Sequence, residues 1–188
     1  GIAFDRILDP FDGPFEPVDD VIAAPDGRFE ELPGAAGWVL DHRVNDAFIA
    51  VNRLLKAGLD VYWLKESLAF PGGDWPAGAF FIPASEGPDG AARVLRGTAI
   101  EKGLVVRAVD RVPSGPSYKL KLPRIGLWDT YGGSMASGWL RWLLERYEFP
   151  FELVFAPGLD KGGLNDRFDV LVFADGSMPA AVSAPDPS

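Results

Sequence analysis

The sequence predicts an α/β fold: an open, mostly parallel sheet with helices on both faces, built from two similar halves. Two observations support this prediction. Residues 37–110 and 124–176 each show the same order of strand, helix, strand and strand, with similar spacing. Short apolar runs also alternate with helical patterns, which is typical of parallel sheets whose crossovers are helices. The repeated order indicates an internal repeat, packed as one pseudo-symmetric domain or as two abutting domains.

The first half begins with an apolar run at 37–41 that ends on a carboxylate. Asn45 or Asp46 is expected to cap a helix that runs to Lys56, because such side chains accept hydrogen bonds from free first-turn amides. Gly58 marks the end of that helix. The remaining elements are predicted as a strand at 60–64, a loop at 70–78, a strand at 79–83, a helix at 88–102 and a strand at 104–109.

The second half begins with a strand at 124–129, which also ends on a carboxylate. A helix follows from 135 to 147, and further strands are predicted at 151–155 and 168–175. The last strand is continuously apolar, as expected of a strand buried on both faces. The helix carries four residues at i, i+3, i+4 and i+7 spacing, namely Trp139, Trp142, Leu143 and Arg146.

Three segments lie outside the two halves. Residues 1–36 are dense in proline, glycine and aspartate, and proline is excluded from helix interiors and central strands. We therefore predict a linker, or an extended strap over a domain surface. Residues 111–123 are interpreted as a connector and 177–188 as a tail. Gly1 is typical of a residue left by tag removal, so we expect the chain to be a piece of a longer protein.

Composition and charge argue against several classes of function. The chain has 188 residues, of which 47% are hydrophobic, and this favours a globular fold. Its net charge is −9 and no lysine or arginine cluster occurs, so we expect no nucleic-acid partner and no binding to anionic membranes. No apolar run approaches the length that spans a bilayer, so no membrane insertion is expected. The absence of cysteine excludes disulfides, thiolate metal ligands and cysteine nucleophiles.

The first candidate site is the loop after the first strand of the second half. Asp129, Thr130, Gly132, Gly133 and Ser134 lie there. Ligands of open α/β sheets gather at the carboxyl ends of strands, near helix N-termini, and the glycines would let an anion approach the backbone. The alternative is structural: the serine caps the helix and the glycines form the turn. The pattern falls short of a phosphate-binding fingerprint, which favours the structural role.

The corresponding loop of the first half adds Asp41, His42 and Asn45 as candidate ligand-binding residues. His42 is the only histidine, and a single loop histidine is usually a solvated surface group. It would also be the only imidazole base for a nucleophile at Ser134, where Gly-Gly-Ser-Met-Ala approaches the G-x-S-x-G elbow. Five residues separate Trp128 from this serine, too many for a sharp elbow.

No metal site is expected in this chain. Zinc requires several histidine or cysteine ligands, and one histidine without cysteine cannot supply them. Asp41, Asp129 and Asp175 leave a carboxylate-only site for Mg²⁺ or Ca²⁺ as the alternative. Aspartate at the end of a strand more often serves as a turn or cap residue.

The tryptophans fall into two groups by their sequence context. Trp128, Trp139 and Trp142 are expected in the core. Trp75 lies in a Gly-Asp-Trp-Pro loop and is the candidate for an exposed contact.

Several stretches together resemble a domain of a known family. They are 126–129, 135–145, 149–151 and 168–172, with 39–42, Asn45 and 52–55 similar to its earlier part. The resemblance covers residues 36–176 and is to the domain that follows the catalytic domain in large bacterial zinc carboxypeptidases. That domain looks like a class I glutamine amidotransferase, which implies a flavodoxin-like fold.

The resemblance brings no catalytic residues into this chain. Amidotransferases use a nucleophilic cysteine with a downstream histidine and glutamate, whereas this chain has no cysteine and no histidine after His42. The peptidase zinc ligands, a His-x-x-Glu pair and a distant histidine, are also missing, because Arg43, Val44 and Asn45 follow His42. Zinc is therefore expected only in a peptidase domain outside this chain, and no cofactor is expected within it.

These inferences predict a non-catalytic accessory domain, structural or partner-binding, of a protein resembling a bacterial zinc metallocarboxypeptidase. The resemblance implies the peptidase domain of the same polypeptide as partner, a peptide substrate as a further one, and a secreted or periplasmic location. The alternative is a small-ligand or anion-binding module at the Gly132-Gly133-Ser134 helix N-terminus. A third hypothesis is a serine hydrolase that uses Ser134 and His42.

Overall fold

The fold is α/β, as predicted. The computed structural model describes residues 6, 8–17, 20–21, 25–70, 73–84 and 90–174. In these ranges the strands form a six-stranded mixed sheet, a three-stranded parallel sheet and a two-stranded hairpin. The predicted tail at 177–188, Asp175 and the expected helix start at Pro88 lie outside the described residues.

The first half contains the mixed sheet, the hairpin and two helices. In chain order the elements are β1 (Arg28–Phe29), β2 (Gly37–Leu40), α1 (Ala47–Lys56), β3 (Tyr62–Leu64), β4 (Leu68–Phe70), β5 (Gly73–Trp75), β6 (Phe80–Pro83), α2 (Ala91–Lys102), β7 (Val105–Val109) and β8 (Ser117–Lys119). Four strands form where none was predicted: β1 lies within the proline-rich segment, β8 lies within the connector, and β4 and β5 lie between the strands predicted at 60–64 and 79–83. The predicted loop at 70–78 contains most of the β4–β5 hairpin.

The strand directions of this sheet correct the prediction of a mostly parallel sheet. The order is β1-β7-β2-β6-β3-β8, and four of the five neighbouring pairs are antiparallel. The chain reverses after β3, and β6 enters between β2 and β3. The units β2-α1-β3 and β6-α2-β7 therefore interleave, which is the split β-α-β arrangement of ferredoxin-like topology.

The two faces of the mixed sheet are covered differently. Helices α1 and α2 lie on one face, where their apolar residues pack against Trp38, Leu40 and Phe80. The β4–β5 hairpin covers the other face, where Trp75 packs with Val39 and Phe81 among others. Trp75 is only 9% exposed, so the prediction of an exposed contact at this residue is wrong. The hairpin folds back over the sheet and buries a side chain that a simple loop would have left in water.

Helix α1 ends as predicted and begins differently. Gly58 has φ 74°, and the amides of Gly58 and Leu59 donate to Leu55 and Leu54, which closes the helix with a left-handed residue. At the start, the N-cap residue Asp46 makes no side-chain capping hydrogen bond.

The second half is a small parallel sheet with helical crossovers. Its elements are β9 (Ile125–Trp128), α3 (Met135–Arg146), β10 (Phe151–Val154), α4 (Ala156–Asp160), α5 (Leu164–Arg167) and β11 (Val170–Phe173). The order is β10-β9-β11 and both pairs are parallel, so the parallel prediction is confirmed here. The two halves thus share an order of elements but differ in strand direction. Strand β11 is partly exposed rather than buried on both faces.

Two tryptophans of helix α3 that were expected in the core are exposed. Trp128 is buried on β9, as predicted, but Trp139 is 63% exposed and Trp142 is 51% exposed. The expectation that these two lie in the core is therefore wrong. The only buried residue of the helix is Ser137, on its sheet-facing side, so the periodic stripe of large residues points away from the sheet.

The two halves are joined where α1 meets the C-terminal end of α3. Asn52, which is 2% exposed, donates from Nδ2 to the carbonyl oxygen of Tyr147 at 2.8 Å. Arg53 donates to the carboxylate of Glu148 at 2.7 and 3.0 Å and also to that of Glu101 on α2. Glu148 has φ 58°, a left-handed conformation that usually belongs to glycine. One helix end of the second half is thus held by two side chains of the first.

We predict that Asn52→Ala destabilises the protein by about 1–3 kcal/mol, because it removes a buried hydrogen bond and leaves the Tyr147 carbonyl without its partner. The free energy of unfolding from urea denaturation measures this. Asn45→Ala, at an exposed position, is the matched control and should change it by less than about 0.5 kcal/mol. Equal effects of the two substitutions would show that the junction contributes no stability.

We also predict that substitution of two tryptophans, Trp75 and Trp139, lowers the free energy of unfolding by very different amounts. Trp75→Ala should cost about 3–5 kcal/mol of unfolding free energy, because it opens a cavity between the hairpin and the sheet. Trp139→Ala should cost less than about 1 kcal/mol, because most of that side chain is already in water. Urea denaturation of both variants, followed by circular dichroism, distinguishes the two sites, and a larger loss for Trp139→Ala contradicts the assignment.

Candidate functional site

The loop at the carboxyl end of β9 has a clear structural role. Gly132 and Gly133 have φ of 95° and 78°, and the amide of Gly133 donates to the carbonyl of Thr130 at 2.9 Å. Ser134 is the N-cap of α3, and its Oγ accepts from the amide of Ser137 at 3.1 Å. The glycines therefore form the turn and the serine caps the helix, as the structural alternative proposed.

The remaining residues of this loop are braced by their neighbours. Asp129 accepts from the amide of Thr130 at 2.8 Å, and its own amide donates to the carbonyl of Val154. The exposed ring of Tyr131 stacks on Phe155 with centroids 4.8 Å apart. These contacts tie the loop after β9 to the end of β10 and give it a defined shape.

One buried polar atom at this end of the sheet has no hydrogen-bond partner in the part of the chain that the structure describes. Trp128 is the last residue of β9, and its Nε1 is buried without a hydrogen-bond acceptor. Buried indole N–H groups usually find an acceptor. The order β10-β9-β11 also places the loop at the carboxyl end of the central strand, and ligands of open parallel sheets bind at the carboxyl ends of strands.

In the first half, Asp41 is engaged within its own loop. Its carboxylate accepts from the amide of Arg43 at 2.9 Å and from the guanidinium of Arg43 at 2.6 Å. These hydrogen bonds lower the pKa of Asp41 and raise that of Arg43. The ion pair occupies both carboxylate oxygens, which leaves Asp41 poorly suited to bind a cation or a ligand amine.

His42 is partly buried, which corrects the expectation of a solvated surface group. Its Nδ1 is buried, has no hydrogen-bond partner within the described ranges, and lies 3.8 Å from the nearer oxygen of Asp41. The ring packs on the backbone of Gly78, where a methyl group would lie 2.9 Å from Cε1 of the imidazole. Asn45 is exposed, and its carbonyl accepts from the amide of Phe48.

In each of the two loops, most polar groups are therefore satisfied by neighbouring residues. Ser134 Oγ is hydrogen-bonded as a cap, and His42 Nδ1 has no hydrogen-bond partner among the described residues, so no bond from that nitrogen activates the serine. Among the described residues, no group of three or more histidine, aspartate or glutamate side chains is arranged to hold a metal ion. Asp175, the third carboxylate of the alternative metal site, lies outside those residues. In the same part of the chain, no helix has the length and apolarity needed to cross a membrane.

An exposed apolar surface on α3 was not predicted from the sequence. We name it the α3 outer face, and it consists of Met135, Trp139, Trp142 and Leu143. The opposite side of the helix also carries apolar residues, which are partly buried: Ala136, Leu140, Leu144 and Tyr147. A helix that is apolar on both sides is normally buried. The signal in the sequence was the presence of two apolar stripes, where a surface helix needs only one.

Comparison with protein-family models, with curated proteins and with solved structures finds no match to this chain. The assignment of a function therefore depends on the residues and contacts described above.

Proposed function

We propose that this chain is a non-catalytic accessory domain that binds another protein domain through the α3 outer face. The observation that carries the proposal is the exposure of Trp139 and Trp142, at 63% and 51%, on a helix that is already apolar on its inner side. Monomeric proteins rarely leave large contiguous apolar patches in water, and such patches mark sites of interaction.

The chemistry of the α3 outer face is that of a protein contact. The rings of Trp139 and Trp142 pack edge to face with centroids 6.0 Å apart, so they form one projecting aromatic cluster. Tryptophan is one of the residue types enriched at the energetic centre of protein interfaces. An exposed ion pair between Arg141 and Glu145, with 2.8 Å between Nε and Oε1, lies on the same helix and would contribute a polar rim.

The proposed partner is the peptidase domain of a zinc carboxypeptidase-like protein, on the same polypeptide. The sequence resemblance supports this choice, and the candidate residues support a non-catalytic role, because Ser134 caps a helix and Asp41 is paired with Arg43. In this proposal zinc belongs to the peptidase domain, which would also contact the peptide substrate, and the protein is secreted or periplasmic. The parallel β10-β9-β11 order supports a flavodoxin-like arrangement for the second half, since such sheets begin in the order 2-1-3.

A binding experiment with two sets of variants tests the proposal. The probe is the zinc-peptidase domain encoded in the same gene, added to this chain in isothermal titration calorimetry. We expect saturable binding that the Trp139→Ala, Trp142→Ala double variant weakens by at least about tenfold, because each lost hot-spot tryptophan costs about 2 kcal/mol or more. Trp63→Ala, at a half-exposed tryptophan on β3, is the matched control and should bind normally.

Two results would contradict the accessory-domain proposal. One is a gene that encodes no His-x-x-Glu peptidase domain beside these residues. The other is turnover of peptide substrates by this chain alone in the presence of zinc.

We propose a small-ligand or anion site at the Gly132-Gly133-Ser134 helix N-terminus as the second candidate function. Two observations favour it: the loop lies at the carboxyl end of the central strand of the parallel sheet, and the buried Nε1 of Trp128 next to it has no acceptor among the described residues. The first amides of α3 would face the negative charge of a bound group.

A thermal-shift screen with nucleotides, sugars and carboxylates tests this second function. A ligand at 100 times its dissociation constant should stabilise the protein by about 2.7 kcal/mol. Ser134→Asp preserves a helix cap but adds a negative charge at the site, so it should abolish the shift for an anion while leaving the unliganded melting temperature close to that of the wild type. An unchanged shift in this variant would place the ligand elsewhere.

A further inference from the structure

A pocket opens at the amino-terminal end of the parallel sheet, opposite the end that carries Asp129 and Ser134. It lies between the starts of β9 and β10 and the residues that precede β11, and its volume is about 320 Å³. This is at the small end of the range for sites that bind small molecules. The lining is mostly apolar and comprises Leu122, Pro123, Ile125, Pro150, Phe151 and Phe168.

Three charged side chains complete the pocket, and one of them is fully engaged. The guanidinium of Arg124 donates to the carboxylate of Asp169 at 3.0 Å and to the carbonyl oxygens of Asp166 and Asn165. It thereby fixes the start of β11 against the start of β9. Arg124 is part of the wall and has little remaining capacity to bind a ligand.

The other two charges, Arg167 and Glu152, form an ion pair with each other. The guanidinium of Arg167 lies over the ring of Phe168, with 4.7 Å between Cζ and the ring centroid, and this contact holds it beside the apolar lining. The side chains of Arg167 and Glu152 are 37% and 59% exposed. Ion pairs this exposed contribute little to stability, because water solvates both partners well. A competing carboxylate can therefore replace that of Glu152 at small cost.

We propose that this pocket binds a small apolar carboxylate. The hydrocarbon part packs against the lining residues, and the carboxylate displaces Glu152 from Arg167. Arginine suits this role because its planar guanidinium pairs with a carboxylate through two parallel hydrogen bonds. The site lies away from the α3 outer face and from the helix N-terminus of α3, so it is independent of both proposed functions.

The chemistry of the pocket favours an apolar carboxylate over a cation, a neutral apolar molecule or a strongly polar anion. A cation would meet the guanidinium of Arg167 at the rim. A neutral apolar molecule would gain the contact with the lining and leave the Arg167–Glu152 pair in place, so it would bind more weakly. A strongly polar anion such as phosphate would pair with Arg167 but would bury no apolar surface against Phe151 and Phe168.

Calorimetry with a matched pair of probes tests the proposal. The probes are 4-phenylbutyrate and its neutral amide, 4-phenylbutyramide, titrated into the full chain at pH 7. We expect saturable binding of the acid and at least about tenfold weaker binding of the amide, because a charge-assisted hydrogen bond is lost. Equal affinities of acid and amide, or no saturable binding of the acid at millimolar concentrations, would overturn the proposal.

Variants of the two paired residues provide the sharper test, because they should act in opposite directions. Arg167→Gln should weaken binding of the acid by about tenfold or more, because the guanidinium is removed. Glu152→Gln should strengthen it several-fold, because the competing carboxylate is gone. Arg96→Gln, which breaks the similarly exposed Arg96–Glu31 pair in the first half, is the control and should leave the affinity unchanged. If Arg167→Gln and Glu152→Gln change the affinity in the same direction, the pair is only structural and the proposal fails.

Discussion

The arrangement of the two halves depends on how the C-terminal end of α3 is held. The last carbonyls of a helix have no partner within it, and here the Tyr147 carbonyl accepts from the buried Asn52 side chain. The next residue, Glu148, adopts a left-handed conformation that costs a residue with a side chain about 1–2 kcal/mol. Its carboxylate receives the guanidinium of Arg53, which also reaches Glu101 on α2. Three helices thus converge on one arginine, and this contact offsets a backbone conformation that glycine would adopt freely.

The sheets of the two halves that meet at this junction are covered in different ways. In the first half, strand β6 lies antiparallel between β2 and β3, so both helices cover one face and the β4–β5 hairpin covers the other. The second half keeps its strands parallel, and such sheets are normally covered on both faces. Its three strands are short, and β11 is only partly buried. The second half therefore leaves apolar surface in water that the first half has covered with its own chain.

The α3 outer face and the pocket, the two proposed binding features that use apolar surface, lie in this second half. The α3 outer face is convex and aromatic, which suits a contact with another folded domain. The pocket at the amino-terminal end of the sheet is concave and is rimmed by a weak ion pair, which suits a small amphiphilic molecule. In contrast, the loops at the carboxyl ends of β2 and β9 use most of their polar groups internally, since Asp41 pairs with Arg43 and Ser134 caps α3.

The sequence by itself determined the elements that depend on local pattern. The helices at 47–56 and 135–146, the parallel strands of the second half, the turn at Gly132 and Gly133, and the cap at Ser134 all follow from periodicity and from the chemistry of neighbouring residues. Tertiary structure alone decided the direction of β6 and which tryptophans are buried: Trp75 is buried and Trp139 is exposed. The physical reason is that a periodic stripe shows which side chains share a face but carries no information about what covers that face. The pocket beside Arg167 could not be predicted from the sequence either, because residues far apart along the chain form it.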